Sequence, residues 1–523
     1  MLDLLIRDGT IVDGSGNPRY KANVGIKDGK IVSILRTPVS AVREINAQGQ
    51  FVVPGFVDIH THSDMVLYRS PRVDMKIRQG ATTEVDGNCG YSPAPLTKDS
   101  LPLLGAMPWA AESVRALGHF EAFGEYLDRL ASFGVCNNHA ILVGHVPLRT
   151  AAMGWEPRAA ISGEIDIMKA MLADALDDGG AGLSVGLLYP PMTCANVDEL
   201  AELCQVVASR GKIFSCHMRD YGVGLIDSTR EMIQIAERSG VAVHISHLIV
   251  TGRASWGTSE QMLAMVDEAR ARGLDITLDQ HPYNFSASFL FSLLPPWMHQ
   301  GGLEETVSRL RDPEQRARAR MDIERGMPGW QDVVRDAGWE ALLVISEHLP
   351  QLSGKSFAEI AEARGVHPTS VLFDTMLEDR ESWYFARWLS EDDIEAIMRH
   401  PLQMVASDSM TDGPKTHPRS YGAFPKVLGE YVREKGVLSW EEAIRKMTFF
   451  PASRFNLDLR GLIAQGFSAD IVIFDPQTVG DRATAQHPNQ YPTGIGHVIV
   501  NGHLAVEQGE YDGSVSGEVL RLA

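Results

Sequence analysis

The sequence predicts an α/β chain: a (β/α)8 TIM barrel with an insertion after strand 7, plus a small β-sandwich formed by the N- and C-terminal segments. Three observations predict it. Apolar runs of strand length alternate with amphipathic segments through the long middle of the chain. Both ends consist of short strand-like runs broken by hairpin turns. Most of the middle runs end in histidine, cysteine or aspartate.

At the N-terminus, residues 4–7, 10–14, 22–26 and 30–34 read as strands, with Asp-Gly pairs at 8–9, 13–14 and 28–29 as hairpin turns. Near the C-terminus, residues 469–474 and 497–503 repeat the pattern, the second with an Asn501-Gly502 turn. Residues 1–53 and 455–523 are therefore expected to form one sandwich, a separate terminal domain being the alternative. Between them lie eight apolar runs at residues 52–60, 82–86, 140–144, 182–185, 212–216, 241–245, 275–278 and 404–407. Segments 197–210, 224–239 and 259–272 carry the helical apolar period. These runs define a barrel domain over 54–454. The long gap from about 279 to 403 is read as an insertion, its core at 284–345, a candidate lid over the barrel mouth. The charged stretch 309–325 interleaves both signs and reads as a solvated helix.

Bulk numbers narrow the function. A chain of 523 residues exceeds one ordinary core. Its formal net charge of −19 argues against nucleic acid or an anionic membrane surface as partner. Five scattered cysteines do not form a disulfide framework, and no apolar run approaches the roughly 20 residues of a membrane span. With no signal-peptide pattern at its start, the chain is expected in the cytoplasm. Oligomeric state is not readable.

In such a barrel, polar residues past the C-terminal strand ends build the active site. The first run, Pro54 to His62, ends in His60 and His62, two apart and able to face one ion. The second ends at Cys89, the third at His145, the fifth at His217, the sixth at His244 and His247, the seventh at Asp279 and His281, the eighth at Asp408. His247 is preferred over His244 because it ends its run, and His281, before a proline, is read as a structural group or one standing just behind the site. Each residue has a bland alternative, a buried small thiol for Cys89 or a satisfied core imidazole for His217. The coincidence of His60 and His62, Cys89, His217, His247 and Asp408 on five of these strand ends favours a metal site. Imidazole, thiolate and carboxylate together suit Zn2+, which acidifies water. Asp408 at the rim would then exchange a proton with that water and a leaving group.

These segments resemble the amidohydrolase superfamily and, within it, the N-acyl-D-amino-acid deacylase (D-aminoacylase) branch. The resemblance rests on Pro54–Asp64, Gly87-Asn88-Cys89-Gly90, Leu142–His145, Gly186–Pro191, His217-Met218-Arg219, Ser246-His247, His417–Pro425 and Glu442–Thr448. It implies a tightly bound zinc on Cys89, His217 and His247, and a second, weaker position at His60, His62 and Asp408. Asp408 would also be the catalytic acid/base. Arg419, Tyr283 and Ser288 fall where relatives hold the substrate's α-carboxylate, with His145 and Tyr189 as further substrate contacts. Two positions depart from the pattern: Ile249 stands where relatives commonly carry lysine, and Val146-Pro147 replaces small and hydroxyl residues.

The expected activity is hydrolysis of a linear amide, an N-acyl-D-amino acid giving D-amino acid and carboxylate. The same machinery acting on an aryl, cyclic or xenobiotic amide is the alternative that Ile249 leaves open. A non-catalytic scaffold would have lost ligands, and none is missing here.

Overall fold

The computed structural model describes residues 1–68, 70, 72–97, 120–327, 329–409 and 416–522. All eight expected runs contain strands. The first one divides. Phe51–Pro54 pairs antiparallel with Ile471–Phe474, whereas Phe56–Asp58 runs parallel to Ala81–Asp86. The break falls at Gly55, where the chain passes so close to its neighbour that a Cβ would lie 2.0 Å from Thr82 Oγ1. His60 and His62 thus follow the strand's end.

The parallel strands form two sheets. One holds Val143–Gly144, Gly182–Gly186, Ile213–His217, Ala242–Ile245, Ile276–Gln280 and Gln403–Val405 in that spatial order. The other holds Phe56–Asp58, Ala81–Asp86, Asn138–Ile141 and Val519–Leu520. Only Leu142 separates Asn138–Ile141 from Val143–Gly144. At the opposite edges, Asp408 N–H donates to the His60 carbonyl (2.8 Å) and His62 N–H to the Ser409 carbonyl (2.9 Å). Because every pairing is parallel, the C-terminal strand ends gather on one side.

Helices cover these strands for the expected reason. Val197–Ala208 buries Leu200, Leu203, Cys204 and Val207 on one stripe, and the Asn196 side chain caps it by accepting from Glu199 N–H (2.9 Å). The charged stretch becomes the helix Pro313–Arg325, capped by Asp312, in which just Ala319 and Ile323 are buried.

The ends share one nine-stranded sheet running from Leu2–Ile11 and its neighbours to Glu510–Tyr511. The final strand leaves it: Val519–Leu520 pairs parallel with His139 and Ala140. The stretch between Gln280 and Gln403 carries strands of its own. Its sheet joins Ser286–Phe289, Leu342–Ile345 and Trp383–Ala386 antiparallel, the last strand pairing with both others. Among the described residues, no helix is long and apolar enough to cross a membrane.

Candidate metal centre

At the gathered strand ends three imidazole nitrogens surround the Cys89 sulfur. His60 Nε2 lies 3.3 Å from Sγ, His247 Nε2 3.4 Å and His217 Nδ1 3.8 Å. Ligands on a tetrahedral zinc with Zn–S of about 2.3 Å and Zn–N of about 2.0 Å stand about 3.5 Å apart, the spacing that His60 and His247 keep from the Cys89 sulfur, with His217 slightly farther out. Burial alone would raise the Cys89 thiol, but the His60 and His247 imidazoles hold it well below its usual range. His217 Nε2 and His247 Nδ1 are buried and have no hydrogen-bond partner among the described residues.

Donor atoms within 4.8 Å of one another form two groups, His60–Cys89–His247 and His60–His62–Asp408. The second is the expected set. The first contains His60 where His217 was expected, so His60 stands between the two and His217 at the edge. Asp408 Oδ1 lies 3.6 Å from His60 Nε2 and 3.7 Å from His62 Nε2. Burial works against its charge, but the Arg419 guanidinium, 2.6 Å from Oδ2, holds the carboxyl well below the usual range.

The backbone turns these side chains together. Cys89, His247 and Asp408 all adopt left-handed φ, at 53°, 31° and 50°. Asp279 supports two of the histidines. Its Oδ1 accepts from His247 N–H (2.8 Å), and its Oδ2 lies 3.3 Å from His60 Nδ1 and 2.8 Å from His244 Nε2. His244 therefore packs behind the site. The sequence had marked Asp279 as a strand end without assigning this role; an aspartate closing an apolar run was its signal.

Lys76 went unnoticed altogether. It is fully buried, bonded to Asp58 and to Ser407 Oγ (2.5 Å) and 3.6 Å from Glu84. Ser407 N–H in turn donates to Asp58 Oδ1 (2.9 Å). This network ties the residue before Asp408 to the strand that leads into His60.

A cavity of about 750 Å³, including its part open to solvent, rises above the cradle. His62, Cys89, His217, His247, Asp408 and Arg419 line it, and Leu188, Ile249, Phe289, Val333 and Trp388 make much of its wall apolar. Tyr189 and Ser288 also face it, their oxygens 3.4 Å apart.

Two expected substrate contacts lie elsewhere. His145 begins the helix His145–Met153, and its Nε2 lies 3.1 Å from Glu199 Oε1, beside Arg149. That buried acid draws it away from the cavity. Val146 and Pro147 fill the same first turn, where a missing N–H costs little. Tyr283 donates to Asp481 Oδ2 (3.2 Å) and packs against Lys426 rather than lining the cavity. His281, read from the sequence as structural or as backing the site, lines it.

Comparison with known proteins agrees with this geometry. D-aminoacylase of Alcaligenes xylosoxydans xylosoxydans is 34% identical, the match covering 99% of this chain and 97% of that one. The N-acyl-D-glutamate deacylase of the same organism is 37% identical, over 96% and 93%. The solved N-acyl-D-glutamate deacylase of Bordetella bronchiseptica, complexed with zinc and a phosphonate mimic of the tetrahedral intermediate, superposes with a TM-score of 0.83 at 33% identity over 99% of each chain. The model of the amidohydrolase family matches residues 43–506, and the chain belongs to that family.

Proposed function

We propose that this chain is a zinc-dependent hydrolase that cleaves N-acyl-D-amino acids to the D-amino acid and a carboxylate. The observation that carries this reading is the meeting of Cys89, four candidate ligands and Arg419 at the floor of one apolar cavity. The full-length relatives named for D-amino-acid deacylation support the substrate class.

Cys89, His217 and His247 would hold the tight zinc and His60, His62 and Asp408 a second, weaker one; His60 has only Nε2 to give, because its Nδ1 faces Asp279. Bound there, the metal supplies a Lewis acid for the carbonyl and lowers the pKa of water. The chain does the rest. Asp408 Oδ1, the oxygen Arg419 leaves free, takes the proton of the attacking water and passes it to the departing nitrogen. The low proton affinity that Arg419 imposes on this carboxylate makes the second transfer easy. Asp279 fixes the orientation of His60 and His247, while the apolar wall excludes bulk water.

The finer architecture belongs to the same reading. The two parallel sheets are taken as one (β/α)8 barrel over residues 54–454, joined through the His60–Asp408 bond and the short step at Leu142. Residues 284–345 contribute the cavity's cover, and 1–53 with 455–523 the β-sandwich.

Ile249 and its neighbours favour an apolar side chain on the D-amino acid. The engagement of Arg419 by Asp408 gives a neutral aryl or cyclic amide its standing as second reading. One experiment separates them: kcat/KM for N-acetyl-D-leucine, N-acetyl-D-glutamate, their L forms and neutral anilides, on protein of measured zinc content. N-acetyl-D-leucine should lead, with about one tight zinc per chain. Anilides leading would transfer the assignment, and a well-folded, zinc-loadable protein inactive on every amide would end it. Asp408→Asn should abolish turnover and keep the tight zinc.

A further inference from the structure

We propose that His281 is a substrate-contacting residue: an uncharged imidazole whose Nε2–H donates to the substrate's carboxylate beside Arg419. This rests on the reading of the substrate as an N-acyl-D-amino acid and adds a recognition residue to it.

Three observations point the same way. His281 is 1% exposed and lines the cavity, yet its Nε2 has no partner among the described residues. A buried polar nitrogen left so costs about 1–3 kcal/mol, which a ligand oxygen would recover. Its other nitrogen fixes the tautomer. Tyr283 N–H donates to Nδ1 (3.4 Å), so Nδ1 is the acceptor and the proton sits on Nε2.

The ring stands on the Arg419 side of the site. Its neighbour His417, 6.1 Å away between centroids, accepts the Arg419 backbone N–H on Nδ1 (3.1 Å). Arg419 presents a matching gap: Nη1 is held by Asp408, while Nε is buried and unpartnered. Two unused donors, one charged and one neutral, therefore border the same cavity. A carboxylate, with two acceptor oxygens and a negative charge, can take one donor on each oxygen and answer the Arg419 charge, whereas a neutral carbonyl has one oxygen and no charge to offer.

Keeping His281 neutral has a reason. Burial, then the Arg419 charge, pushes its pKa down to about 3, so the ring adds a donor without a second cation. A lysine or arginine in its place would be repelled by Arg419 and would compete for Asp408.

The test compares His281→Phe with His281→Gln, the second keeping an N–H donor. Substrates are N-acetyl-D-leucine and its methyl ester, with amide cleavage followed for both and zinc content matched. His281→Phe should raise KM for the acid about ten- to a hundredfold, the range of one hydrogen bond to a charged group. Its kcat should change little, its KM for the ester should not move, and His281→Gln should recover most of the loss. An equal KM rise for acid and ester, or no rise for the acid, overturns the assignment. If His281→Phe loses its zinc, His281→Met against His281→Gln carries the same comparison. A wild type that cleaves neither compound overturns the functional reading itself, a result distinct from unchanged KM in an active enzyme.

Discussion

Replacing Lys76 with methionine tests whether the site depends on charge buried beneath it. Lys76 is 1% exposed and answers two carboxylates, Asp58 and Glu84, both 2% exposed or less. Methionine fills similar volume but leaves those acids without their cation. Breaking a buried pair from one side costs about 3–5 kcal/mol, far more than the roughly 0–1 kcal/mol of a surface pair. With an unfolding entropy of about 2.1 cal/mol/K per residue over 523 residues, that corresponds to a fall of roughly 3–5 °C in Tm. The assay is thermal unfolding of zinc-loaded protein at fixed scan rate, with kcat measured on the folded fraction. The kcat should fall as well, because Ser407 loses the group that pins it next to Asp408. Adding Asp58→Asn should restore part of the lost stability, since it removes one uncompensated charge. A Tm within about 1 °C of wild type would refute the claim that this ion cluster holds the site together.

Two further changes probe the cavity and its flank. Ile249→Lys places a cation in the apolar wall and should raise the kcat/KM ratio of N-acetyl-D-glutamate over N-acetyl-D-leucine at least about tenfold, the worth of one charge-assisted hydrogen bond; an unchanged ratio in a zinc-loaded variant would clear Ile249 of any part in specificity. Asp336, its pKa pushed up to about 7 by burial and then by Asp220, is protonated more readily in the folded chain than in the unfolded one. Wild-type stability therefore includes a loss that grows as pH rises from about 4 to about 7, and Asp336→Asn should gain in Tm over that window and level off above it. A gain independent of pH would show that the carboxylate's charge is not the cause.

How much of this was legible in the sequence depended on where each partner lay. The strand cores were readable because apolar runs and their terminal histidines are local signals. The relations between elements were not. Lys76 sits in a short polar segment that looks like surface, and its burial is decided by Asp58, Glu84 and Ser407 from three other strands or strand ends. Glu199 captures His145 across more than fifty residues, which no spacing rule reveals. Tyr283 was expected at the substrate's carboxylate, yet Asp481, nearly two hundred residues on, takes its hydroxyl. The pairing of Trp383–Ala386 with Ser286–Phe289 joins segments about a hundred residues apart and has no local signal either.

The backbone of the site explains why its chemistry is confined to so few positions. Left-handed φ at a non-glycine residue costs about 1–3 kcal/mol, and three of the nine such residues among those described are Cys89, His247 and Asp408. Each is held by bonds that do not involve its own side chain. Gly90 N–H donates to Ser184 Oγ (3.0 Å) next to Cys89, Asp279 accepts the His247 N–H, and the His60 carbonyl accepts the Asp408 N–H. The strain is therefore carried by neighbouring strands, leaving sulfur, imidazole and carboxylate free to face one another. That separation predicts an asymmetry in mutants. Removing a histidine or cysteine ligand should cost metal and activity but, in thermal unfolding of metal-free protein, little stability; Asp408 is the exception, since its loss leaves the buried Arg419 unpaired. Removing a holder such as Asp279 or Ser184 should cost stability as well, because the strained turn then has nothing to hold it.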